Sequence, residues 1–404
     1  MKTLSTTLLL LMTCLLTSIL FSQASAQTET EPSQEAETEL RQPPDASVLE
    51  ADQWKKVDAS VERALTWLAS QQQADGSFRS IDVGQPAITS LCLMAFLAQG
   101  ESPVDGQYQQ QLTKAIGYIL AQQKANGLIG FTAPDAVPIP RDVPHKTVGS
   151  TSVYNHAISG LALTQAYGQC DPEQAKRIAT VIEQAIAATL EMQRWDGKRD
   201  LDVGGWRYLN IHPQGPLDSD LSVTGWQLMF LRSAKNAGFD VPKESVDAAI
   251  QYVENCFVEE DDRQVHSYYA KHPIPCTRAM AGAGVLALAH AGKHDSKEAI
   301  ASGEWILKHD FKDYNVDTPV YGAKWSPDRY HYGGILCSQA MFQLGGKYWE
   351  QFFPPFVTTL LANQQADGAW PPERNEKLFG SCYSTSLCVL SLSVPNQILP
   401  IFQR

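Results

Sequence analysis

With 404 residues, 44% of them hydrophobic, the chain is long enough to bury a sizeable core. Its 32 Lys+Arg against 44 Asp+Glu give a net charge of −12, and the basic residues form no cluster. Nucleic acid and an anionic membrane surface are therefore not expected partners.

Lys2 opens a short basic start, Leu8 to Phe21 form an apolar stretch, and Ala24-Ser25-Ala26 supply the small residues of a cleavage site. Residues 1–26 read as a secretory signal, which predicts an exported chain, secreted or periplasmic. Residues 27–50 are acidic and rich in Thr, Glu, Pro and Gln, a composition that cannot offset its own ordering entropy, so they read as a disordered leader. Residues 51–404 read as one domain. No segment within it is expected to supply the ~18 apolar residues of a spanning helix, so no transmembrane anchor is expected in the mature chain. Once Cys14 leaves with the signal, seven cysteines remain. They are scattered on apolar helix faces and read as buried thiols.

Two kinds of helix alternate from residue 51 onward. Val57-Glu62-Ala64-Leu65-Trp67-Leu68, Ala115 to Leu120, Ile178 to Leu190 and Phe356 to Leu361 have one apolar face and one wet face. Val246 to Val258 and Ile300 to Phe311 continue that series. Between them lie runs that are apolar nearly all round: Ile88 to Leu97, Ser152 to Tyr167, Val223 to Ala234, Arg278 to Ala291, Gly333 to Leu344 and Thr385 to Val394. Helices of that kind are buried. Thr89, Thr151, Ser222, Thr277 and Thr385 are expected to cap them.

A phrase closes four of the wet helices: Gln72-Gln-Ala-Asp75-Gly76, Gln123-Lys-Ala-Asn126-Gly127, Gln193-Arg-Trp-Asp196-Gly197 and Gln364-Gln-Ala-Asp367-Gly368. Recurrence at one place in a repeat is the mark of a repeat architecture. Gly ends the helix in a left-handed turn. The Gln and a following aromatic (Phe78, Phe131, Trp206, Trp370) are expected to staple neighbouring repeats. Six wet and six buried helices predict an all-α (α/α)6 toroid, with the buried set as inner ring.

The phrase resembles the QW repeat of squalene–hopene and oxidosqualene cyclases. The alternating helices are similar to the toroid shared by those cyclases and the β subunits of protein prenyltransferases. The resemblance spans residues 51–404 and implies a single-toroid relative of exported bacterial type. It also points to the N-terminal ends of the inner helices, where free N–H groups and partial positive charge collect.

Asp218-Ser-Asp220-Leu221 precedes the third inner helix and resembles the Asp-x-Asp-Asp segment of hopene cyclases. The resemblance makes Asp220 the candidate general acid and Asp218 its neighbour. Leu221 stands where the family has its last Asp, and an alkene-protonating acid needs that kind of support. A helix cap is the alternative role for either carboxylate. Tyr154, Trp226, Tyr330, Tyr332 and Tyr383, with Trp206 and Tyr208 in a preceding loop, are candidates for a cation-stabilising or lipid-binding lining. His156 and His331 join them as candidate substrate-binding residues.

His156, His272, Cys276, His331, Cys337 and Cys382 lie near inner-helix starts, yet lack a metal-ligand spacing, so neither a metal nor another cofactor is expected. Glu259 to Asp262 read as a solvated charge run. Two functions follow: a terpenoid cyclase-like enzyme with Asp220 as acid, or a non-catalytic toroid that holds a lipid, glycan or protein partner. A glycan-active enzyme, a third option, needs paired carboxylates across a cleft.

Overall fold

In the computed structural model the described residues are 46–131, 145–209, 218–260, 263–272, 276–316, 328–374 and 376–404. The expected signal and nearly all of the expected leader lie outside them. Outer helices α1 (Ala51–Ser70), α3 (Gln109–Ala121), α5 (Pro172–Gln193), α7 (Lys243–Asn255), α9 (Lys297–Lys308) and α11 (Gly346–Asn363) alternate with inner ones. The inner set is α2 (Ala87–Leu97), α4 (His145–Tyr167), α6 (Leu221–Asn236), α8 (Arg278–His290), α10 (Tyr330–Leu344) and α12 (Gly380–Ser393). Each inner helix packs along the next, and α12 returns to α2, so the inner ring closes. This is the expected (α/α)6 toroid.

The two rings follow from patterning. On α1 the residues Val57, Val61, Ala64, Leu65 and Leu68 are buried while Lys55, Asp58 and Glu62 face solvent. On α10 every residue from Tyr330 to Leu344 is buried, as a helix enclosed on all sides requires. Close approach needs small residues. A Cβ on Gly282 of α8 would come within 2.9 Å of the Cys337 backbone on α10. The segment Lys377–Asn396, which contains α12, is long and apolar enough to span a membrane, contrary to expectation. Burial of most of its apolar stretch within the toroid accounts for that composition.

The glutamine phrase closes each repeat onto the next. Gln72 Nε2 donates to its own turn at Gly76 O (3.0 Å) and across to Gln111 O on α3 (2.8 Å). Gln123 makes the same pair with Gly127 O and Val181 O (3.2 and 2.8 Å). Gln364 bonds Gly368 O and Ser60 O, both at 2.8 Å, and so ties the last repeat to the first. Each of these glycines has a positive φ, and a Cβ there would strike the backbone of the adjacent outer helix. Glycine is the residue that tolerates both conditions.

The third copy departs from expectation. Gln193 Nε2 bonds Gly204 O and Ser245 O, both at 2.8 Å, and not Gly197. A Cβ on Gly204 would lie 2.1 Å from Ala248 O, whereas one on Gly197 meets nothing within 4 Å. Residues 194–200 are thus an insertion, and Asp196-Gly197 is a local turn that imitates the phrase.

Two residues after each stapling glycine, a buried side chain points inward and its N–H bonds the next inner helix. Phe78 N donates to Thr89 Oγ1, Trp206 N to Thr224 Oγ1 and Trp370 N to Thr385 Oγ1, each at 3.0 Å. In the second repeat the residue is Ile129, not Phe131, and the acceptor is His156 Nδ1 at 3.1 Å. Thr89 and Thr385 are therefore repeat staples and not helix caps; Thr277 does cap α8, accepting from Met280 N at 3.2 Å.

After α7 the expected helical run stops at Asn255, and an antiparallel hairpin follows: β1 (Phe257–Glu260) and β2 (Arg263–His266). The acidic run ends that hairpin, where Glu260 pairs with Arg263 and Glu259 with Lys297. Asp261 and Asp262 lie outside the described residues. All seven described cysteines are free thiols.

Candidate functional site

The N-terminal ends of the inner helices surround a cavity of about 370 Å³, within the ~300–1,000 Å³ of small-molecule sites. Its walls carry Tyr154 from α4, Trp226 from α6, Tyr332 from α10 and Tyr383 from α12, with Tyr208 and Phe379 from preceding loops. Ile88, Leu91 and Ile158 complete an apolar floor. Trp226 Nε1 donates to Tyr332 OH (3.0 Å), which fixes both rings. Burial pushes the Tyr154 and Tyr332 phenols up, so both are neutral. Arg329 and Glu376 are the charged groups on the wall among the described residues, and they pair with each other.

Tyr154, Trp226, Tyr332 and Tyr383 thus line the cavity. Trp206, His156, Tyr330 and His331 are packed in the wall behind it. Trp206 is wholly buried, and its Nε1 donates to Thr189 O (2.8 Å). His156 receives Ile129 N–H on Nδ1, so Nε2 carries the proton and donates to Thr189 Oγ1 at 2.9 Å. Burial lowers that imidazole to about 4, and it is neutral. Tyr330 OH donates to Phe311 O (2.8 Å).

His331 sits between Glu373 Oε2 (3.0 Å from Nδ1) and Tyr314 OH (2.9 Å from Nε2). The Glu373 carboxylate also accepts from the N–H groups of Tyr330 (3.0 Å) and His331 (2.8 Å). It is a cap on α10 supplied from 42 residues away. Burial alone would raise its carboxyl; the hydrogen bonds from His331 and from the Tyr330 N–H outweigh that and hold it below the ordinary value. Among the described residues no three His, Cys, Asp or Glu side chains converge as a metal site would require.

Asp220 is the N-cap of α6 and is 1% exposed. Its Oδ1 accepts from Ser222 N (2.8 Å) and Ser222 Oγ (2.5 Å), and its Oδ2 from Arg207 Nη1 (2.7 Å). Arg207 Nε meets Asp218 at 2.9 Å, and its guanidinium lies over the Tyr208 ring (4.3 Å). Burial holds the Asp220 carboxyl above its ordinary value, and Arg207 and the Ser222 donors offset only part of that rise. Since Ser222 spends its single hydroxyl proton on Asp220, the 2.6 Å contact with Tyr154 OH is donated by the tyrosine. Every donor in this chain points toward Asp220. The carboxylate accepts throughout and stands one serine and one tyrosine removed from the cavity.

Arg207, Arg329, Glu373 and Glu376 were not foreseen, since they sit in loops without periodicity. Their shared signal is position: each precedes an inner helix in the stretch that follows an outer one.

No family model and no curated protein matches the chain. Solved structures do. The type II terpene cyclase MstE from Scytonema, in complex with merosterolic acid A, superposes with a TM-score of 0.54 at 15% identity, covering 87% of this chain and 100% of that one. An α-1,6-mannanase of Salegentibacter sp., in complex with α-1,6-mannotriose, gives 0.56 at 12% identity, covering 83% and 98%. A glycosidase in complex with glucose gives 0.53 at 10%, covering 87% and 100%. At these identities the likeness establishes the α/α toroid alone.

Proposed function

We propose that the toroid takes an apolar small molecule of polyprenyl or terpenoid kind into its central cavity and holds it against the aromatic walls. The carrying observation is the wall itself: six aromatic side chains from four helices and two loops, over an aliphatic floor. The terpene cyclase neighbour, whose structure was also determined with geranylgeranyl dihydroxybenzoate as substrate, supports this reading. Glycan hydrolysis is disfavoured, because it needs two carboxylates facing each other across the ligand. Among the described residues Glu376 is the one carboxylate on the wall.

Asp220 supports the site as an ionised cap in this reading. A cyclase needs the reverse, a carboxylic acid that holds a proton and presents it to an alkene. We also propose export, from the character of residues 1–26.

The test is incubation of the purified protein with farnesol, geranylgeraniol and squalene, followed by native mass spectrometry and product analysis. Stoichiometric binding with unchanged polyene is expected, abolished by Tyr383→Glu, which sets a charge into the cavity. A cyclised product made by the wild type and lost in Asp220→Asn would overturn the binding role and restore Asp220 as the acid.

A further inference from the structure

Arg329 stands immediately before α10 and contributes to the cavity wall. A guanidinium has five donor hydrogens in a planar fork. Here one bond is made, from Nη2 to Glu376 Oε1. Among the described residues its buried Nε has no hydrogen-bond partner. Leaving a buried donor unsatisfied is costly, and such groups call for an explanation.

The other buried cations nearby are better matched. Arg207 spans Asp218 and Asp220. Arg278 pairs with the buried Asp328, donates to Asp310 O (2.6 Å) and lies 3.9 Å from the Phe311 ring centre, although its Nη2 also has no hydrogen-bond partner among the described residues. Neither of these two lines the cavity. Arg329 does, with an unspent edge and a single bond to a carboxylate that is itself part of the wall.

We propose that Arg329 anchors the anionic head of the cavity's ligand, a carboxylate or phosphate carried on an apolar tail, and that Glu376 occupies the anchor until that ligand arrives. The bidentate geometry that guanidinium offers to carboxylate and phosphate is met by neither oxygen of Glu376 acting alone. Tyr154, Tyr332 and Tyr383 then flank the tail just below the head. The loop that carries Glu376 suits a displaceable group. It runs through a short 3-10 turn, Lys377–Phe379, whose Leu378 is 75% exposed and whose Phe379 forms part of the cavity wall.

This proposal rests on the apolar-ligand reading and specifies its substrate class. It is tested by calorimetric titration of farnesoic acid, farnesyl phosphate and farnesol into the wild type, Arg329→Gln, Arg329→Lys and Glu376→Gln. The wild type is expected to prefer at least one of the two anions over farnesol; which one is preferred separates carboxylate from phosphate. Arg329→Gln should abolish that preference by lowering anion affinity more than farnesol affinity, and Arg329→Lys should restore part of it. Glu376→Gln should tighten the anion by about tenfold by removing the internal competitor.

Equal wild-type affinity for the acid, the phosphate and the alcohol overturns the anchor and leaves the cavity reading intact. So does an anion affinity that falls in Glu376→Gln. Failure of all three probes to bind the wild type overturns both. Since Glu376→Gln carries its own sign, the proposal is decided even where Arg329→Gln does not fold.

Discussion

At the outer turns the stapling glutamines spend both of their amide hydrogens on backbone carbonyls, one local and one from the next repeat. At the mouth Arg329 makes one bond with a fork built for several. Both side chains are polar and partly buried, yet only the first has its donors filled by its own chain. Saturation marks scaffold, and a sparsely bonded guanidinium on a cavity wall marks a place prepared for something else. The recurring phrase therefore fixes the toroid, while chemistry gathers at irregular loops on the cavity side.

The sharpest way to break this comparison is to substitute the turn glycines. Gly368→Ala places a Cβ 2.5 Å from Arg63 O at a φ of +99°. It should cost roughly 3 kcal/mol or more in chemical denaturation, from strain together with displacement of α1. Gly197→Ala has a similar φ of +86° but open space around it, and should cost about 1–2 kcal/mol. Equal losses would mean that Gly197 is itself a staple.

The pH dependence of the same scaffold comes next. Burial holds His156 at about 4, His266 at about 3 and His290 at about 4. Each is neutral in the folded chain, while the unfolded chain binds protons below ~6.5. The depressed folded values therefore give stability that is complete above pH ~6.5 and is lost as pH falls toward 4. For His156 the loss is on the order of 3 kcal/mol across that window. His156→Thr supplies the hydroxyl acceptor found at the three other staples. Denaturation between pH 7 and pH 4 should show a shallower decline in this variant than in the wild type.

These cases also show what could be read before the structure. The repeat was legible because glycine at a positive φ and a glutamine that bridges two carbonyls have few substitutes. The third copy was misplaced because Asp196-Gly197 satisfies the same local turn chemistry seven residues too early; only the contact with Ala248 identifies Gly204. His156 looked functional because it stands where the other repeats have threonine, and a histidine near a helix start suggests chemistry until its two partners are seen. Arg329 and Glu373 could not be placed at all. Their partners lie 47 and 42 residues away, and no local period encodes such pairs.

A third test separates the closing staple from an internal one. Gln364 carries four bonds, accepting on Oε1 from Ser60 Oγ (2.7 Å) and Arg63 Nη2 (2.5 Å) in addition to its two donations. Gln72 has the two donations. Gln364→Ala should cost about 2–3 kcal/mol and Gln72→Ala about 1–2, since each deletion strands carbonyls that are partly buried. Thermal unfolding of both variants checks the order.

The smallest expected effect lies in the segment that first suggested catalysis. Asp218 and Asp220 look equivalent in sequence, and both meet Arg207. Their surroundings differ: the Asp218 side chain is 40% exposed, that of Asp220 1%. Solvent screens the first pair, so Asp218→Asn should cost under about 1 kcal/mol. Asp220→Asn leaves Arg207 with a neutral partner and keeps one oxygen for the cap, so it should cost about 2 kcal/mol. Neither substitution should change farnesol binding, because neither side chain lines the cavity. A loss of farnesol binding in Asp220→Asn at unchanged stability would instead tie the carboxylate to the ligand through Ser222 and Tyr154, and the cap would have a second task.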